Sequence, residues 1–231
     1  MTQITDHLAN IERRIDEALI RSGRSDSTVT VVAVSKRHPA AAVVEAAAAG
    51  LTHFGENYLQ EGLEKMRAVA DSAIEWHFIG RVQSNKTRQI ASHFAWVDTM
   101  DRRRIADRLN AHRPAELPPL NVLIQLNLDA EPQKSGVSAA ELLPLAEHIS
   151  QLPKLRLRGV MGMPPAGNSV EQNRASFRAI AAEAERLGSE GFEIDTISMG
   201  MSSDFELAIE CGSTCVRLGT VLFGPRPQDP A

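Results

Sequence analysis

Eight short segments rich in apolar and β-branched residues, each followed by a stretch with helical character, constrain this chain more than any other feature. The series opens with TVTVVAVSK and continues through LTHFGEN, IEWHFIG, FAWVDT, LNVLIQLNL, LRLRGVMGM and FEIDTISMG to STCVRLGT. Between them lie segments such as AAAVVEAAAAG, YLQEGLEKMRAVA and SAAELLPLAEHISQL, whose composition and apolar spacing are those of helices. Strands separated by helices pair in parallel, because a crossover must carry the chain back to the same end of the sheet. The first strand is too apolar to be half exposed, as expected where helices cover the sheet.

An open doubly wound sheet normally carries a glycine-rich turn after its first strand, and here that turn reads SKRHP. The expected fold is therefore α/β, a single closed (β/α)8 TIM barrel. Ahead of the first strand, Leu8, Ile11, Ile15, Ala18 and Leu19 recur at helical spacing, with Thr5 as N-cap and Gly23 as stop. This additional N-terminal helix, residues 1–23, is expected to cover the outer face left bare after the eighth strand, which no long helix follows. Residues 225–231, PRPQDPA, read as a frayed tail. At 231 residues, 43% of them hydrophobic, the whole chain 1–231 fits one domain of this kind.

A formal net charge of -4 gives no basic field for holding nucleic acid. The start carries Asp, Glu and Arg throughout, and no apolar run is long enough to cross a bilayer, so a cytoplasmic protein with no membrane partner is expected. Cys211 and Cys215 sit in CGSTC, which lacks both a second pair for zinc and the spacing of a redox motif. They read as two buried thiols, and no metal site is expected.

In such barrels reactive groups stand at the C-terminal ends of strands, and phosphate commonly lodges after strands seven and eight. Lys36 ends the first strand. Desolvation there disfavours the ammonium, and an uncharged amine is what attacks an aldehyde. The solvated end of a strand would explain the same residue, so position alone does not decide. Across the mouth, SMGMSSD and GTVLFG are rich in small residues that let backbone N–H groups approach an anion. Ser198, Ser202 and Ser203 add hydroxyls at a helix N-terminus. Arg217 lies in an otherwise apolar strand and needs an acceptor, either a ligand heteroatom or a buried carboxylate. An amine, a phosphate cup and a guanidinium on one rim suit a molecule with an aldehyde, a phosphate and a ring nitrogen, and pyridoxal 5′-phosphate has all three.

VAVSKRHP, FGENYLQE, WHFIGRVQSNK, QLNLDAEPQKSGV, LRGVMGM and SMGMSSDFELAIECGSTCVRLGTVLFG together resemble, in order and spacing, the pyridoxal phosphate homeostasis family. The resemblance implies a barrel like the N-terminal domain of alanine racemase, the fold-type III arrangement of pyridoxal phosphate proteins. It implies Lys36 as the Schiff-base lysine, and phosphate held by Ser198 with the Met199 and Gly200 backbone and by Gly219 with Thr220. It also implies Arg217 facing the pyridine nitrogen, Asn57 lining the pocket near Lys36, and Ile79 beside the ring. His77 reads as a hydrogen-bonded core residue, Lys134 as a solvated loop lysine or a second rim amine, and Tyr58 as the cap of the next helix.

By the same resemblance the function expected is buffering of pyridoxal phosphate and its delivery to apo-enzymes, with no catalytic residues. The alternative is a small fold-type III amino-acid racemase-like enzyme. A cationic partner for the pyridine nitrogen weakens the cofactor as an electron sink. The fold-type III racemases also use a tyrosine from an added domain of a partner subunit, whereas Tyr58 is the one tyrosine here. A monomeric carrier is therefore the expectation.

Overall fold

A computed structural model describes residues 2–127 and 135–225. The chain begins with helix α1 (Gln3–Arg21) and then alternates strand and helix. The first half runs β1 (Thr30–Val34), α2 (Ala40–Ala48), β2 (His53–Glu56), α3 (Leu59–Val69), β3 (Glu75–Phe78), α4 (Thr87–His93), β4 (Trp96–Met100) and α5 (Arg103–His112). The second half runs β5 (Leu120–Gln125), α6 (Ala139–Ser150), β6 (Leu155–Met161), α7 (Val170–Ser189), β7 (Thr196–Ser198), α8 (Phe205–Glu210), β8 (Cys215–Leu218) and α9 (Thr220–Phe223). All eight strands are parallel, and β8 pairs with β1 to close the barrel, Val32 lying opposite Arg217.

Side chains alternate across each strand, and the two faces differ in chemistry. Outward residues such as Ala33, Phe54, Val97 and Val122 pack with the helices into one extensive apolar core. The inside of the barrel holds a small apolar cluster of Trp96, Leu123 and Met161, and polar groups occupy much of the remainder. His77, 2% exposed, is the hydrogen-bonded core residue its position suggests: Nδ1 meets Asp98 Oδ1 at 3.0 Å, and Nε2 meets His53 Nδ1 at 3.1 Å. An ionised Asp98 accepts from Nδ1–H, which leaves Nε2 to accept from His53. Burial holds the His53 imidazole below its ordinary pKa.

Helix α1 starts one turn earlier than its sequence pattern suggests. The N-cap is Thr2, whose hydroxyl accepts from Thr5 N–H, and the added turn buries Ile4 to 6% exposure. Burial of that side chain favours extending the helix upstream of Thr5. Helix α1 lies against α8 and α9, as the missing eighth outer helix requires. His7 Nδ1–H donates to the Leu222 carbonyl at 2.8 Å. Arg14 bonds Glu206 at 2.7 Å and lies 4.5 Å over the Phe205 ring, while Arg21 pairs with Glu210 at 2.8 Å. The tail after residue 225 and Lys134 lie outside the described residues.

Candidate functional site

A cavity of about 440 Å³ opens at the C-terminal ends of the strands. Lys36 follows β1, Asn57 follows β2 and Ile79 follows β3; Arg217 comes from β8, and Gly219 and Thr220 come directly after it. All six line the cavity. Ser198, Met199 and Gly200 do not. Ser198 is fully buried, and its hydroxyl accepts from Arg217 at 2.7 Å; Met199 N–H donates to the Cys215 carbonyl at 3.1 Å. Gly200 has φ of 94° and an added Cβ would come 2.6 Å from Ala208 Cβ, so this segment is packed down behind the wall. Strand β7 is only three residues long, too short for periodicity to show where the chain leaves the barrel.

The wall at that point is made by Ser202 and Ser203. Ser202 Oγ accepts from the N–H groups of Gly219 and Val221, both at 3.3 Å, which ties the β7 loop to the β8 loop. A hydroxyl has two lone pairs and one hydrogen, so these bonds leave the Ser202 hydrogen as a donor for an anion. Arg217, 5% exposed, also reaches the Gly162 carbonyl at 3.2 Å. Among the described residues no carboxylate forms an ion pair with it. Burial holds its guanidinium below the usual arginine range, opposed by the negative charges of Asp98 and Asp204.

Asn57 Oδ1 is buried on the cavity wall and accepts no hydrogen bond among the described residues. Its backbone is pressed against Gly80, where an added Cβ would lie 2.1 Å from the Asn57 carbonyl oxygen. Thr99 fixes Gly80 from the other side, its hydroxyl donating to the Gly80 carbonyl at 2.6 Å. Gly80→Ala must therefore move backbone, and a loss of about 3 kcal/mol in stability is expected from overpacking at a site with no flexible neighbour. Thermal unfolding checks this, and a melting temperature equal to that of the native chain would contradict the contact.

Lys36 is backed by a charged cluster that sequence reasoning missed. Lys65 on α3, 5% exposed, donates to the Ser35 carbonyl and Glu56 Oε1, each at 2.6 Å, and to Glu61 Oε1 at 2.7 Å. Burial pushes the Glu56 carboxyl above its ordinary pKa, against the hydrogen bonds from Lys65 and Ser35. In YLQEGLEKMRAVA this lysine looks like any solvated helix lysine, and only the tertiary fold buries it.

Both cysteines are buried and unpaired as disulfides. Burial raises the Cys211 thiol and pushes Cys215 up to about 12. A thiol needs its thiolate to react, so an aromatic disulfide reagent at pH 8 is expected to leave Cys215 unlabelled until the chain is unfolded. Rapid labelling of Cys215 in the native chain would contradict its burial. Among the described residues, no group of three His, Cys, Asp or Glu is placed to hold a metal ion, and no helix is long and apolar enough to cross a membrane.

The family model described as alanine racemase, N-terminal domain, matches residues 7–227. The pyridoxal phosphate homeostasis protein of Escherichia coli K12 is 50% identical over 229 residues, covering 98% of both chains. That of Pseudomonas aeruginosa PAO1 is 51% identical over 226 residues, covering 98% of this chain and 97% of the relative. The chain belongs to the pyridoxal phosphate homeostasis protein family. Another structure close to this family fold is PipY of Synechococcus elongatus PCC7942 with PLP bound, 34% identical, with a TM-score of 0.85 over 96% of this chain and 100% of that one. Alanine racemase of Clostridium difficile 630, 15% identical with a TM-score of 0.70, shares the barrel; the alignment covers 97% of this chain and 58% of the racemase. The fold-type III barrel expected from the sequence is thus the fold of the family.

Proposed function

We propose that this chain binds pyridoxal 5′-phosphate as a Schiff base on Lys36 and acts in its homeostasis, buffering the cofactor and delivering it to apo-enzymes without catalysing a reaction of its own. The observation that carries the reading is one cavity of about 440 Å³ whose wall holds Lys36, Arg217 and the hydroxyls of Ser202, Ser203 and Thr220. That volume falls in the usual range for small-molecule sites. The donor set fits the cofactor: an amine for the aldehyde, the serine and threonine hydroxyls for the phosphate, and a guanidinium for the ring nitrogen. PipY, similar over its whole length, has PLP bound.

Once bound, the cofactor supplies a reactive aldehyde and a ring able to draw electrons from an attached amine. Each protein group has a distinct part. Lys36 Nζ supplies the nucleophile. Ser202, Ser203 and Thr220 hold the phosphate, with Ser198, Met199 and Gly200 supporting that loop from behind. Arg217, steadied by Ser198, would serve the ring nitrogen, where a permanent cation would oppose ring protonation. Asn57 and Ile79, both on the cavity wall, would contact the ring. Tyr58, the chain's single tyrosine, is 55% exposed at the N-cap of α3 and does not line the cavity, so it is poorly placed as a second base.

The carrier reading extends to a monomeric, cytoplasmic protein whose partners are pyridoxal phosphate and the apo-enzymes that receive it. Loaded protein mixed with an apo-enzyme is expected to restore that enzyme's activity. With L- and D-amino acids in deuterated water it is expected to leave the α-proton unexchanged. Rapid α-proton exchange would overturn the carrier reading in favour of a racemase-like enzyme.

A further inference from the structure

Lys36 occupies the second position of a turn, Ser35 to His38, closed by His38 N–H donating to the Ser35 carbonyl at 2.9 Å. Arg37 in the third position has φ of 63°, a conformation usually given to glycine that costs other residues about 1–2 kcal/mol. Glu61 Oε1 offsets that cost by accepting the Arg37 N–H, and Glu56 Oε1 accepts the Ser35 hydroxyl at 2.6 Å. Lys65 joins the two carboxylates and adds a third bond, to the Ser35 carbonyl. An ammonium has three hydrogens, and here each has one acceptor. The residues before and after Lys36 are thus anchored to the same three side chains, none of which lines the cavity.

We propose that Glu56, Glu61 and Lys65 are positioning residues for Lys36, holding its turn in the strained conformation that presents the amine to the cavity. The inference rests on Lys36 being the condensing amine. In that step Lys36 Nζ adds to the aldehyde carbon, a C=N bond replaces C=O, and both hydrogens lost from nitrogen leave with the carbonyl oxygen as water. Its rate depends on how often the amine stands in line with the carbonyl carbon, and that frequency falls when the backbone carrying it is loosened. Recognition of ring and phosphate uses other residues and is independent of the triad.

Glu61, whose side chain is 25% exposed, is the member best suited to a test, because removing it leaves the buried Lys65–Glu56 pair intact. The full chain is mixed with pyridoxal phosphate, the adduct is fixed by borohydride at successive times, and intact mass counts it. Affinity for pyridoxamine 5′-phosphate, which has the ring and phosphate but no aldehyde, is measured in parallel. Glu61→Ala is expected to slow adduct formation about tenfold with pyridoxamine 5′-phosphate affinity changed by less than about twofold, the split expected of lost orientation rather than lost binding. Glu61→Gln keeps an acceptor oxygen for Arg37 N–H and is expected to recover most of the rate. An unchanged rate in Glu61→Ala, or equal losses in rate and affinity, would overturn the positioning role. An adduct that persists in Lys36→Ala would instead overturn the reading of Lys36 beneath it.

Discussion

Lys36→Ala is expected to abolish the visible-absorbing, borohydride-reducible adduct formed with added pyridoxal phosphate, leaving reversible binding through the remaining groups. Lys36 stands on the cavity wall, and the neighbouring Lys65, bonded to Ser35, Glu56 and Glu61, does not line it. Loss of the covalent bond should also appear in stability. A ligand at one hundred times its dissociation constant adds about 2.7 kcal/mol to the folded state, and an amine-dependent gain in affinity enlarges that stabilisation. The rise in melting temperature on adding the cofactor should therefore shrink sharply in the variant. A mass increment equal to that of the native chain after reduction would refute the assignment.

Lys65→Met is expected to cost about 3–5 kcal/mol of stability, the range for stranding one partner of a buried ion pair. Glu56 is 0% exposed and its Oε2 has no hydrogen-bond partner among the described residues, so Lys65 and the Ser35 hydroxyl are what stabilise its charge. Without the ammonium the carboxyl is raised further above its unfolded pKa. A carboxyl raised in the folded state binds its proton more tightly there, so its penalty is full above the folded pKa and fades as pH falls through it. The variant's deficit should thus narrow below neutral pH. Adding Glu56→Gln, which removes the stranded charge, should recover part of the loss at neutral pH. Chemical unfolding at several pH values decides this, and a deficit independent of both pH and the second substitution would refute it.

The barrel was legible because its eight apolar runs and intervening helical segments admit few arrangements, and every run became a strand. Lys36, Arg217 and the residues of the last loop were legible for a related reason: a charged or small residue at the end of an apolar strand lies at the mouth of such a barrel. What escaped sequence reading depends on packing between elements. Ser198 was expected on phosphate, yet its hydroxyl accepts from Arg217, a contact joining residues 19 positions apart across two strands. The burial of Lys65 depends on carboxylates from β2 and its own helix, a pattern indistinguishable in sequence from an exposed salt-bridged face. Met163 and Met201, 42% and 39% exposed at the cavity rim, have no periodicity to announce them.

The placement of α1 bears on when a working site exists during synthesis. The bond from His7 to Leu222 joins residues 215 positions apart, and that from Arg14 to Glu206 joins residues 192 apart. Helices α8 and α9, which these bonds steady, directly follow the serine loop and Gly219. Closing so long a loop is entropically slow, and it cannot start until the last strand has been made. A growing chain therefore carries Lys36 from nearly the beginning, yet completes the cavity wall opposite it only when its two ends meet.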